Sequence, residues 1–161
     1  HTEEIWIRRG IRVNQMKKHQ KHGGYIFPHC LPFCVISPSS ALMRRAVFDE
    51  VGYFDEALPA CEDYDLWLRI TKTHPVHFIE TPLIIKRGGH DDQLSRTHWG
   101  LDRFRIQSLE KLLQAGGLTA EQRQQAADEL RRKCDIMAQG CAKRDKPTDA
   151  AVYRQLAEKY R

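Results

Sequence analysis

The hydrophobic pattern of this chain changes near residue 100, and this change restricts the folds that the chain can adopt. Residues 1–100 combine short alternating apolar stretches with turns, whereas residues 101–161 carry apolar residues at the three- and four-residue spacing of helices. A chain of 161 residues can bury one real core but not two large ones. The sequence therefore predicts an α/β unit over residues 1–100 and an all-α extension over residues 101–161.

Local signals predict the elements of the first part. Apolar residues alternate on both sides of Arg9-Gly10, which predicts a hairpin or a bent strand. The polar run at residues 14–24 predicts a loop or short helix at the surface. Helices are expected at residues 45–51 and 62–73, and two strands at residues 76–80 and 83–86, on either side of Thr81-Pro82.

The second part predicts three helices. The first covers residues 101–113, Thr119 and Gln122 form a capping box for the second, and Pro147 begins the third. A stripe of small and apolar residues on the second helix is expected to pack in a core: Ala127, Leu130, Cys134, Met137 and Cys141.

Composition excludes several classes of protein. The net charge is only +5, and aromatic residues are not interleaved with the basic ones, so we expect no nucleic-acid partner. No stretch reaches the ~20 apolar residues of a transmembrane segment. The five cysteines are scattered without a Cys-x2-Cys pair, which disfavours zinc and favours free thiols in a reducing cytoplasm.

Three consecutive motifs bring chemistry-bearing residues together between residues 37 and 69. They are Ser37-Pro-Ser-Ser, Arg44-Arg45-x3-Asp49-Glu50-Val51-Gly52-x-Phe54-Asp55-Glu56 and Cys61-Glu62-Asp63-Tyr64-Asp65-Leu66-Trp67-Leu68-Arg69. Their order and spacing resemble the acceptor-side half of family-2 glycosyltransferases, over roughly residues 37–95. The resemblance implies a partial GT-A fold, which is a Rossmann-like nucleotide-diphospho-sugar transferase sandwich. It also implies inverting transfer of a single sugar from a nucleotide-sugar donor to a hydroxyl acceptor.

The resemblance also implies roles for individual residues. Asp63 takes the place of the aspartate that removes the proton from the acceptor hydroxyl. Glu62, Ser39 and Ser40 are expected to support the acceptor side, and Asp65 to be structural. Without the resemblance, the acidic residues simply stabilise a helix N-terminus.

The segment Arg87-Gly88-Gly89-His90 occupies the place where family members often carry a basic or histidine-bearing loop. The resemblance places Arg87 and His90 near the diphosphate or its metal, where glycine N–H groups could approach phosphate. An ordinary glycine loop with an exposed histidine and no role in binding explains this segment equally well.

The family's nucleotide-binding half and its metal-ligating Asp-x-Asp motif are absent from this sequence. Asp91-Asp92 cannot replace the motif, because it follows Asp63 in the chain, whereas the family's motif precedes the catalytic aspartate. We therefore expect a piece of a longer protein that is inactive alone and self-associates through uncovered surfaces. Mg²⁺ or Mn²⁺ is expected in the full-length enzyme and no metal in this chain. The alternative function is a non-catalytic interaction module that uses the helical tail.

Overall fold

The computed structural model describes residues 1–89 and 97–161. These residues form two compact units, His1–Trp99 and Gly100–Arg161. Within the described residues, the first unit contains a three-stranded sheet and three α-helices, and the second contains three α-helices. The chain is thus mixed α/β, with its strands in the first unit.

The sheet has the strand order β2-β1-β3. β1 (Thr2–Arg8) and β2 (Ile11–Val13) form an antiparallel hairpin, as the alternating pattern predicts. Gly10 has a φ of +80° in the turn, a conformation that glycine adopts without steric cost. β3 (Ile79–Gly88) pairs parallel to β1, with Gly88 opposite Arg8. The carboxyl ends of β1 and β3 therefore lie side by side.

The prediction of two strands around Thr81-Pro82 is wrong, because a single strand runs through both residues. The register between β1 and β3 shifts near Glu3, which lies opposite Pro82. Proline has no N–H to donate to a strand ladder, and this irregularity accommodates it. Val76, which we expected to begin a strand, forms an isolated antiparallel bridge with Gly24.

Three helices lie between β2 and β3: α1 (Phe27–Cys30), α2 (Arg45–Val51) and α3 (Glu62–Thr71). The bounds of α2 are those predicted, and α3 ends two residues earlier than predicted. The N–H of Gly52, whose φ is +81°, donates to the carbonyl of Phe48 at 2.8 Å and ends α2. α3 lies in the core of the first unit, where Leu66, Trp67 and Leu68 are almost fully buried.

The polar run at residues 14–24 does not lie wholly at the surface, which corrects the sequence prediction. The ammonium of Lys21 lies 3.0 Å from Oε1 of Glu4, and both side chains are at most 2% exposed. The indole N–H of Trp6 donates to the other Glu4 oxygen at 2.8 Å. Burial acts to raise the pKa of Glu4, but the Ser37 hydroxyl, Lys21 and Trp6 together hold that pKa below its ordinary value.

The second unit consists of α4 (Asp102–Ala115), α5 (Ala120–Ala142) and α6 (Pro147–Lys159). The predicted capping box is present: Thr119 accepts from the N–H of Gln122 at 3.1 Å, and Gln122 accepts from the N–H of Thr119 at 3.0 Å. The α5 stripe is buried as predicted, except that Ala126 replaces Ala127 in it. Among the described residues, the helices are all too short or too polar to cross a membrane.

Candidate active site

The first turn of α3 carries three carboxylates, on Glu62, Asp63 and Asp65. Cys61 precedes them in the left-handed conformation, with a φ of 63°. Negative charge is favourable at a helix N-terminus because unpaired N–H groups point towards it. Glu62 and Asp63 are half-buried, whereas Asp65 is buried. The surroundings of Asp63 and Asp65 give these two carboxylates different roles.

Asp63 is held in place by two hydrogen bonds and remains partly open to solvent. Its Oδ1 accepts from the N–H of Tyr64 at 2.7 Å, and its Oδ2 accepts from the thiol of Cys34 at 3.1 Å. Each carboxylate oxygen has a further lone pair that can accept a proton. Asp63 is therefore a fixed and accessible carboxylate, as a general base must be.

Cys34 is a site residue that the sequence analysis missed. Its sulfur also lies 3.2 Å from the carbonyl oxygen of Ile36, so one thiol hydrogen is shared between two acceptors. Among the other cysteines, burial raises the pKa of the Cys30 and Cys134 thiols to about 12. Cys34 and Asp63 are 29 residues apart, and no pattern in the sequence joins them.

Asp65 anchors a neighbouring helix instead of facing solvent. It is 3% exposed, and its Oδ2 accepts from Nε of Arg69 at 2.9 Å. Arg69 in turn donates to three carbonyls at the end of α2. They belong to Val51, to Gly52 (3.3 Å) and to Tyr53 (2.8 Å). This arrangement agrees with the structural role that the sequence analysis assigned to Asp65.

The Ser37–Ser40 segment contacts β3 and follows Cys34 along the chain. It forms a 3₁₀ turn over Pro38–Ser40. The hydroxyl of Ser40 is buried and donates to the carbonyl of Ser37 at 3.0 Å, whereas Ser39 is exposed. The ammonium of Lys86 in β3 donates to the hydroxyl of Ser37 at 2.9 Å. The turn therefore contacts the carboxyl-terminal part of β3 and begins three residues after Cys34, whose thiol contacts the candidate base.

Arg87 follows Lys86 directly and is exposed near the carboxyl end of β3. It lies opposite Ile7 in β1 and just before Gly88 and Gly89. His90, the other residue expected near a diphosphate or metal, lies outside the described residues. The structure thus places Arg87 on a strand end that Lys86 connects to the Ser37–Ser40 turn.

The described residues do not form a metal site. Over residues 1–89 and 97–161, no three His, Cys, Asp or Glu side chains are grouped so that they could hold a metal ion. The described residues do not fit a resident Mg²⁺ or Mn²⁺, and no step below is assigned to a metal.

The fold and the site define a mixed α/β chain with a fixed, accessible carboxylate at the start of a buried helix. Part of this chain is similar to proteins named uncharacterized glycosyltransferase. It is 45% identical over 62 residues to one from Rickettsia conorii, covering 38% of this chain and 10% of the relative. It is 42% identical over 62 residues to one from Rickettsia felis, with the same coverage. A relative from Rickettsia typhi is 30% identical over 87 residues, covering 54% of this chain and 26% of the relative.

The chain thus spans between a tenth and about a quarter of the length of these relatives. No protein-family model and no solved structure matches it.

Proposed function

We propose that this chain is the acceptor-side part of an inverting family-2 glycosyltransferase with a GT-A fold. The enzyme would transfer one sugar from a nucleotide-sugar to a hydroxyl acceptor in the cytoplasm. Mg²⁺ or Mn²⁺ is expected in the full-length enzyme, and none of the described residues is proposed to bind it. The observation that carries the proposal is Asp63, which is held by Tyr64 and Cys34 and is still partly open to solvent. The glycosyltransferase names of the relatives support it at the level of the reaction class.

Asp63 acts as the general base in this proposal. It takes the proton of the acceptor hydroxyl while the acceptor oxygen forms a bond to the anomeric carbon. The bond from that carbon to the nucleoside diphosphate breaks at the same time, and the diphosphate leaves with the bonding electrons. Attack on the face opposite the leaving group inverts the anomeric configuration.

The other site residues assist binding. Arg87, with His90, neutralises charge on the leaving diphosphate, and Glu62 with Ser39 supports the acceptor. The hydroxyl of Ser40 is engaged with the Ser37 carbonyl, so Ser40 shapes the turn that presents Ser39.

The configuration of the product tests the proposal. The protein at its full encoded length, incubated with candidate nucleotide-sugars and divalent metal, is expected to give a glycoside whose anomeric configuration is opposite to that of the donor. Proton NMR coupling constants of the fresh product report this configuration. The 161-residue chain alone is expected to give no product. A product with the donor's configuration would contradict the proposal, and no turnover at full length would favour the interaction module.

We also propose that the isolated chain self-associates through β3. Within the described residues β3 is an edge strand, and its Leu83 and Ile85 are 61% and 48% exposed. An uncovered strand edge with apolar side chains readily pairs with another chain. Light scattering is expected to show a dimer or larger species. Ile85→Lys should shift this species towards monomer. The control Leu42→Lys alters an exposed leucine outside the sheet and should have a smaller effect. A monomer mass over a wide concentration range would contradict this proposal.

A further inference from the structure

We propose that the carboxyl ends of β1 and β3 form a binding site for phosphoryl groups, with Arg8, Arg9 and Arg87 as its anion-binding side chains. Arg8 and Arg9 were not singled out by the sequence analysis. The inference deepens the proposed function. Only the identity of the phosphate source, a nucleoside diphosphate, rests on that function. We call the three residues the strand-end arginines.

Strand topology places the strand-end arginines at the same end of the sheet. β1 and β3 are parallel neighbours, with Arg8 opposite Gly88 and Ile7 opposite Arg87. The N–H of Arg9 donates to the carbonyl of Gly88 at 3.4 Å, which ties the hairpin turn to the end of β3. In open α/β sheets, ligands bind just outside the carboxyl ends of parallel strands. The strand-end arginines lie at this position.

The charges of these arginines are not compensated within the described part of the chain. All three side chains are exposed, and none forms an ion pair or a side-chain hydrogen bond with another described residue. Arginines elsewhere, such as Arg69 and Arg105, are paired with carboxylates. Uncompensated positive charges at one end of a sheet repel each other, and a bound anion removes that repulsion. The planar guanidinium fork matches the spacing of phosphate oxygens.

Gly89 fixes the position of two of these side chains. Its φ is +89°, and a Cβ added to it would lie 2.9 Å from Cγ of Arg8 and 3.3 Å from Cγ of Arg9. The stems of both arginines therefore pack against the backbone that follows β3. Only a residue without a side chain allows this approach, so Gly89 holds Arg8 and Arg9 against the end of the strand that carries Arg87.

A small cavity lies at the same place. Its volume is about 60 Å³, and its lining includes Arg8, Lys86, Arg87 and Gly88. The ammonium of Lys86 is already held, since it donates to Ser37 and lies 5.1 Å from the centre of the Trp6 ring. Lys86 adds positive charge to the cavity, and Arg8 and Arg87 line it with donors that no described residue occupies.

Inorganic pyrophosphate is the probe for the first test. In the ¹⁵N-labelled 161-residue chain, titration at constant ionic strength is expected to shift the Nε–Hε signals of the strand-end arginines in a saturable way. Arg8→Gln/Arg9→Gln should weaken binding about tenfold or more, since two charge-assisted contacts are lost. The matched control is Arg44→Gln/Arg45→Gln, a second exposed adjacent pair with no ion pair among the described residues; it should change affinity by no more than about twofold. An equal loss in both double variants would overturn the assignment, because only net charge would then matter.

A charge-neutral variant tests the geometry. Gly89→Ala places a methyl group against the stem of Arg8, and we expect it to weaken pyrophosphate binding several-fold. Gly24→Ala is the control, because Gly24 has a similar φ of +85° but no neighbour within 4 Å. The backbone NMR spectrum verifies that both variants fold. Unchanged pyrophosphate affinity in Gly89→Ala would overturn the role of this contact.

A second arm separates a free diphosphate from a lipid headgroup. The fraction of protein that sediments with phosphatidylglycerol/phosphatidylcholine vesicles is compared with the fraction that sediments with pure phosphatidylcholine vesicles. The comparison is made for the wild type and both double variants. If the arginines are needed to bind pyrophosphate but the chain does not bind anionic vesicles, the ligand is a soluble diphosphate. If they are needed to bind anionic vesicles but the chain does not bind pyrophosphate, the ligand is a lipid headgroup. Binding of neither by the wild type would overturn the proposal. These readouts need no sugar transfer, so their failure is distinguishable from failure of the glycosyltransferase proposal.

Discussion

Asp63→Asn is expected to lower the turnover of the protein at its full encoded length by about 10²–10⁴-fold, which is the usual contribution of a general base. Asparagine has nearly the same shape as aspartate, but its amide cannot take the proton of an acceptor hydroxyl. Binding of the donor should change little, because the carboxylate acts on the acceptor. Initial rates at saturating donor, together with donor affinity measured by calorimetry, provide the test.

The local structure indicates that this variant folds. The carbonyl oxygen of asparagine can still accept from the N–H of Tyr64, as Oδ1 of Asp63 does at 2.7 Å. The loss of negative charge at the start of α3 should cost less than ~1 kcal/mol. The thermal midpoint is therefore expected to fall by only a few degrees.

The choice of control depends on the contacts of the neighbouring acidic residues. Asp65 is buried against Arg69, which holds the end of α2, so Asp65→Asn would disturb the fold. Asp49 lies exposed on α2, and Asp49→Asn makes the same change of charge. Asp49→Asn should retain wild-type turnover. If Asp63→Asn also retains it, or fails only by unfolding, Asp63 is a helix-capping residue and not the base.

The parts of the fold that could be predicted from the sequence are those fixed by a few adjacent residues. The capping box of Thr119 and Gln122, the glycine that ends α2 and the alternation around Arg9-Gly10 each act within about one turn. Such local signals determine where an element begins or ends. The acidic first turn of α3 is also a local pattern, but Asp63 became a candidate base only through the resemblance of the surrounding motifs to a known family.

The features that could not be predicted depend on contacts between distant residues. Pro82 indicated a break between two strands, but pairing with β1 carries β3 through it. Nothing near Cys34 indicates that its thiol reaches Asp63. The position of Arg8 beside Gly89 likewise follows from the parallel pairing of β1 and β3. The candidate base was thus available from the sequence, and its partners required the fold.

The buried pair of Glu4 and Lys21 is the clearest case of a long-range contact without a sequence signal, and it carries the second prediction. Lys21→Met is expected to lower the free energy of unfolding of the first unit by about 3–5 kcal/mol, because it leaves the buried Glu4 carboxylate without its countercharge. All three tryptophans lie in this unit, so tryptophan fluorescence during urea denaturation reports its unfolding. Lys17→Met is the matched control: Lys17 is exposed in the same polar run, and its replacement should change stability by no more than about 0.5 kcal/mol.

Acid titration separates the charge of Glu4 from its packing. The pKa of Glu4 is lowered in the folded chain from an ordinary value of 4.5. Its contribution to stability is therefore complete above that ordinary value and is lost as the pH falls through the lowered one. Glu4→Gln should remove this part of the pH dependence. The double variant Glu4→Gln/Lys21→Met should be more stable than Lys21→Met alone, because no buried charge is left unpaired. If Lys21→Met costs no more than Lys17→Met, or if the double variant is the less stable of the two, the pair does not hold β1 against the polar run.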